Sequence, residues 1–172
     1  MLQGAILEKG EPFYVSFRKI FRALHDFQIQ YNWLVTDCVV YPQNKQVAAR
    51  IYQAAHGSYN WFRGEELTEL LEAEDFQWIW TVLSGFDPSI AKEDVLSESN
   101  RSYGLPQAVD YEGFWHPTLS IQHPLASVEL AAFDSSGVLL ISSQKKLIKK
   151  FRQTFPLSED LAAYNAACSP DP

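Results

Sequence analysis

The chain has 172 residues, 47% of them hydrophobic, enough to bury a single core without disulfide or metal staples. Net charge is −7, with 21 acidic residues against 14 basic, which argues against phosphate-backbone binding as a general mode. The two cysteines, Cys38 and Cys168, form no disulfide framework and no metal or redox motif.

In chain order, Gln3–Leu7 reads as a strand stopped by the turn Gly10-Glu11-Pro12. Phe13, Phe17, Ile20, Phe21 and Leu24 recur at helical spacing, with Arg18, Lys19 and Arg22 on the wet side. Residues 31–41, "YNWLVTDCVVY", predict a strand pair or one long bent strand ending at Pro42. Residues 44–57 predict a helix closed by Gly57. "GEELTELLEAED" predicts a helix with a narrow Leu67, Leu70, Leu71 stripe and Glu65 and Glu66 in its first turn, where the helix dipole favours negative charge.

Residues 76–86, "FQWIWTVLSGF", alternate Phe76, Trp78, Trp80 and Val82 with Gln77, Ile79, Thr81 and Leu83, as a central strand covered on both sides would. From 87 to 124 the pattern loosens into loop, with one short helix at "AKEDVL". "SVELAAF" and "GVLLIS" predict a hairpin. Asp134-Ser135-Ser136-Gly137 between them has the residue preferences of a type I turn. "QKKLIKKFRQTF" predicts a helix with Leu147, Ile148, Phe151 and Phe155 inward, and after Pro156 "SEDLAAYNAAC" predicts a closing helix capped by Ser158. Strands and helices interleave without a regular βαβ repeat. The expectation is one α+β domain over 1–168, a mixed, mostly antiparallel sheet flanked by helices, with a frayed tail at 169–172.

Candidate chemistry is sparse. Asp134 beside Ser135 and Ser136 lacks a local base and is explained by the turn. Ser142/Lys145 and Ser143/Lys146 have S-x-x-K spacing, yet a serine just before a basic helix belongs at its N-cap, so Ser143 is assigned that role. The histidines His25, His56, His116 and His123 form no ligand motif, and no Gly-rich phosphate loop occurs. No catalytic residue, metal ligand or cofactor is assigned. The rival reading is a hydrolase or metal-dependent enzyme that gathers His116, His123, Asp110 and Glu112 through folding. A second rival is a self-associating structural or regulatory scaffold.

Acid crowds the middle of the chain, from Glu65 to Glu112, whereas bases cluster at Arg18–Arg22 and Lys145–Arg152. Trp33, Trp78 and Trp80 read as core. Trp61 and Trp115 lie among tyrosines and carboxylates, a mixture suited to a protein interface. The expected partner surface is Trp61, Glu65, Glu66, Glu69, Glu72, Asp110, Tyr111, Glu112 and Trp115, facing a basic protein.

The run "GFWHPTLSIQHPLASVELAAFDSSGVLLISSQKKLIKKFRQTFPLSEDLAAYN", with "FQWIWTVLSGFDPSI" ahead of it, resembles small uncharacterised bacterial cytoplasmic proteins, some associated with immunity proteins of polymorphic toxin systems. The resemblance covers the latter half to two thirds of the chain and rests on structural motifs. It implies a non-enzymatic cytoplasmic protein that neutralises a toxin, and carries over no catalytic residue. No export leader or membrane-spanning run is read from the sequence.

Overall fold

Apolar side chains on both faces of the strands demand a cover on each side. A computed structural model describes residues 1–10, 15–53, 59–102 and 104–168, with side chains for all of these but 52, 53 and 100–102. The strands are β1 (Gln3–Leu7), β2 (Asn32–Val40), β3 (Tyr59–Arg63), β4 (Trp78–Phe86), β5 (Val128–Phe133), β6 (Gly137–Ser142) and β7 (Glu159–Asp160). They form one sheet, in the order β3-β2-β4-β5-β6-β1-β7, with every neighbouring pair antiparallel. The helices are α1 (Phe17–Ala23), α2 (Lys45–Gln53), α3 (Gly64–Ala73), α4 (Lys92–Ser102), α5 (Lys145–Thr154) and α6 (Leu161–Cys168). The α+β expectation holds, and the sheet is antiparallel among all the described residues.

Alternation sorts the side chains. Ala5, Leu7, Trp33, Val35, Leu83, Leu130, Ala132 and Leu140 point to a first face, where Phe17 and Phe21 of α1, Leu67, Leu70 and Leu71 of α3 and Phe151 of α5 bury them. Ile6, Leu34, Val82, Ala131, Leu139 and Ile141 point to the second face, under Val95 of α4, Ala108 and Phe114 of the long connection, and Leu161 of α6. Beneath α1, rings of Phe21, Phe27, Tyr31 and Trp33 meet at centroid separations of 5.3 to 6.2 Å, and the Trp33 indole N–H donates to the Gln28 carbonyl at 2.9 Å.

Several local expectations are corrected. Trp78 and Phe76 join the first face with Phe17, while Trp80 packs on the second, so β4 does not keep one face along its length. Its partner β2 shifts register between Thr36 and Val40, with Asp37 at φ +47°, and such a bulge sharpens the local twist. The segment containing Trp61, to which the sequence pattern assigned no element, is the strand β3. α4 runs to Ser102, well beyond "AKEDVL". α1 begins at Phe17, where Ser16 Oγ accepts the Lys19 N–H at 3.1 Å; Phe13 lies outside the described residues, as does Gly57.

The β5–β6 turn is centred on Asp134 and Ser135, both at positive φ, with the Ser136 N–H donating to the Phe133 carbonyl. That is the primed geometry, whose twist matches the strands better than a type I turn. Ser143 does not cap α5: the N-cap residue is Gln144, whose N–H is taken by the buried Ser142 hydroxyl at 3.0 Å. Ser158 donates to the Phe155 carbonyl instead of capping α6, and Asp160 accepts the Ala163 N–H there.

Gly64 shows how closely α3 is pressed onto the Phe27–Gln30 turn. A Cβ at this position would stand 2.3 Å from the Gln28 carbonyl oxygen and 2.6 Å from Ile29 Cα, both backbone atoms that cannot swing away. Gly64→Ala is expected to destabilise the fold by about 3 kcal/mol through overpacking. Denaturant unfolding checks this, the expectation being a lower midpoint at unchanged slope.

Candidate functional site

The acidic residues of the middle third occupy two layers. In the first, Glu66 and Glu72 of α3 and the following Glu74 and Asp75 are engaged within the layer. Glu66 reaches back to the Arg63 N–H at 2.8 Å and its guanidinium at 3.1 Å, and the backbone bond, ahead of the Arg63 charge, holds its carboxyl below the usual range. Glu72 makes a two-point pair with Arg22 of α1. Glu74 accepts the Gln43 and Asn44 N–H groups at 2.7 and 2.8 Å, fixing the start of α2. Asp75 takes the Ser16 hydroxyl at 2.6 Å and lies 3.3 Å from Arg18. Glu65 and Glu69 remain exposed without an ion pair among the described residues.

Asp110, Tyr111, Glu112 and Trp115 belong to the cover of the second face, so the structure does not bring them together with α3. The Tyr111 ring meets Phe114 edge-on at 4.9 Å, and Trp115, 41% exposed, leans on Phe133 at 5.2 Å. Trp61 also faces this side, half-buried against Phe86 at 5.7 Å. The same cover carries α4, with Glu93 and Asp94 exposed in its first turn. Glu93, Asp94, Asp110 and Glu112 are all exposed and make no ion pair among the described residues. The Lys92 ammonium sits over the Tyr59 ring at 5.4 Å.

Polar side chains pin this long connection to the sheet. Asp37 Oδ2 accepts the Ala108 and Val109 N–H groups at 2.7 and 2.8 Å, and the buried Thr36 hydroxyl donates to the Pro106 carbonyl at 2.7 Å. Gln107 and Gln122 exchange two hydrogen bonds, and Asn165 of α6 donates to the Phe114 and His116 carbonyls. The buried Glu129 of β5 accepts the Gln122 N–H at 3.1 Å. Sequence reading missed all of these anchors. Asp37 could have been found as a charge inside the β-branched run "LVTDCVV".

The rival constellation is not assembled either. His123 is buried, its Nδ1 accepting the Leu125 N–H and its Nε2 paired with the Val95 carbonyl at 3.0 Å, with its ring edge-on to Phe86. Burial holds its imidazole below the ordinary range. His116 is exposed and shares a shallow cleft with Glu112. Among the described residues no group of three histidine, cysteine or carboxylate side chains could hold a metal ion, and no helix is long and apolar enough to cross a membrane. His56 lies outside the described residues. The Ser142 hydroxyl is taken up by the Ser127 carbonyl and the Gln144 N–H. Comparison with protein-family models, with curated proteins and with solved structures returns no match.

Glu129 gives the second layer a pH dependence. Burial pushes its carboxyl from 4.5 up to about 8, and its Oε1 has no hydrogen-bond partner. The folded value lies above the unfolded one, so this contribution to stability is complete below about pH 4.5 and is lost as pH rises through 8. It amounts to at most about 5 kcal/mol. Glu129→Gln keeps an acceptor for Gln122. It is expected to flatten this fall, gaining about 2 kcal/mol or more at about pH 9 and little at about pH 5, as read by thermal unfolding across that range.

Proposed function

We propose that this chain is a non-enzymatic binding domain that neutralises a basic protein, in the manner of the immunity proteins associated with some of the small uncharacterised bacterial proteins to which its sequence is likened above. The observation that carries this reading is the sorting of charge between the two layers. In the first, Glu66, Glu72 and Asp75 are spent on Arg63, Arg22 and Arg18, Glu65 and Glu69 stay without an ion pair among the described residues, and Lys145, Lys146 and Lys149 stand exposed on α5. In the second, Glu93, Asp94, Asp110 and Glu112 are exposed and make no ion pair among the described residues; the first two precede Val95, which packs in one cluster with Trp61, and the last two flank Tyr111 in the segment that carries the partly exposed Trp115.

Unpaired carboxylates steer an oppositely charged partner without first breaking internal bonds, and aromatic side chains nearby supply apolar contact at short range. The docking surface of this proposal is therefore the second layer, with Asp110, Tyr111, Glu112, Trp61 and Trp115 retained from the expected set. Glu65, Glu66, Glu69 and Glu72 lie on the other side of the sheet.

The test uses the product of the neighbouring gene as partner, with growth protection and association rate as readouts. Combined Glu93→Gln, Asp94→Asn, Asp110→Asn and Glu112→Gln is expected to slow association by about tenfold or more at low salt, with the difference shrinking as salt rises. Glu65→Gln with Glu69→Gln should leave the rate within about twofold. An unchanged rate in the fourfold variant, or a loss confined to the α3 pair, would overturn the assignment.

A further inference from the structure

Of the five tryptophans, Trp115 alone is exposed; Trp33 and Trp78 are buried, and Trp61 and Trp80 half-buried. It closes the 3₁₀ turn Glu112–Trp115, in which side chains three residues apart eclipse, so Glu112 and Trp115 project on the same side, about 6 Å apart along the turn axis. Between them, Phe114 is buried and Gly113 has no side chain. Both line one open cleft of about 480 Å³, completed by Gly113, His116, Thr118 and Ser120.

The cleft is negative and has no cation of its own. Glu112 is exposed and makes no ion pair among the described residues, and neither lysine nor arginine lines the cleft among them. His116 does not supply the charge: its Nδ1 accepts the Thr118 N–H at 3.1 Å, which an imidazolium could not do. The indole is held in place, because it meets the Phe133 ring edge to face at 5.2 Å, and the residue is still 41% exposed. A fixed indole beside a carboxylate matches a guanidinium, whose planar fork pairs with both carboxylate oxygens while its plane lies on the ring. An ammonium is a hydrated point charge and gains less from either contact.

We infer that this cleft takes one arginine side chain of the basic protein partner, its guanidinium on Glu112 and its plane against Trp115. This assignment rests on the docking reading above and adds to it which side chain anchors the partner. The two roles separate kinetically. Unpaired carboxylates across the layer set how fast the partner arrives, whereas an aromatic anchor sets how long it stays.

NMR titration of the full chain with Nα-acetylarginine amide tests the anchor without the partner. Binding is read at the Gly113 amide and at the indole N–H of Trp115, which the Trp115→Phe spectrum identifies by its loss. Saturating shifts with a Kd on the order of 10 mM are expected, about threefold or more tighter than for Nα-acetyllysine amide, with no saturation by the neutral citrulline analogue. Glu112→Gln and, separately, Trp115→Leu should each weaken arginine binding about threefold or more, read at Gly113. Glu65→Gln with Glu69→Gln, on the other side of the sheet, should leave it unchanged. No saturation by the arginine probe, equal binding of the lysine or citrulline probe, or parent-like binding in either cleft variant would overturn the anchor. Slowed association of the fourfold variant without arginine binding would leave the docking reading standing and remove the anchor. Arginine binding with unchanged association would remove the docking reading and keep the cleft as a guanidinium site.

Discussion

The structure depends on a sheet that is apolar on both faces. Leu34 and Val82 are as fully buried as Trp33 and Leu83, their immediate neighbours on the opposite side. A sheet of this kind is unstable in water unless two separate layers cover it. α1, α3 and α5 provide one through leucine and phenylalanine side chains at helical spacing. The other is built from a weakly patterned stretch, α4 and the connection from 104 to 126, together with α6.

The two covers are held by different forces. Under the first, large rings and aliphatic side chains interlock, and ion pairs lie at the rim. The second has fewer apolar residues, so its backbone N–H and C=O groups are satisfied by polar side chains reaching out of the sheet and α6: Thr36, Asp37, Glu129 and Asn165. Burying such groups is costly unless they are paired, and most are. Glu129 Oε1 and Ser84 Oγ are among the exceptions, and mark where polarity exceeds what packing requires. With its internal bonds made mainly by backbone atoms, this cover leaves Glu93, Asp94, Asp110 and Glu112 exposed without an ion pair among the described residues, and the functional proposal grows from that.

How much was legible in the sequence follows from the range of each interaction. α5 and the β5–β6 hairpin depend on residues within one or two turns of each other, and their apolar spacing showed them. β3 escaped because Tyr59–Arg63 is a short edge strand with Arg63 exposed, too brief to establish alternation. Trp78 and Trp80 share a parity yet part company across a twist set by a register shift in β2, which no pattern within β4 reveals. Asp37 holds Ala108 from 71 residues away, so the anchoring of the connection had no local signature. Acid clustering in sequence proved a poor guide to clustering in space, since the sheet passes between α3 and the 110–112 segment.

The claim at the centre is that the second layer, and not the α3 side, meets the partner. Hydrogen–deuterium exchange of the free chain against its complex with the neighbouring gene product reads this most directly. Added protection over α4 and residues 104–116, with α3 and α5 unchanged, is the result expected. Protection concentrated on α3 and absent from 104–116 would contradict it.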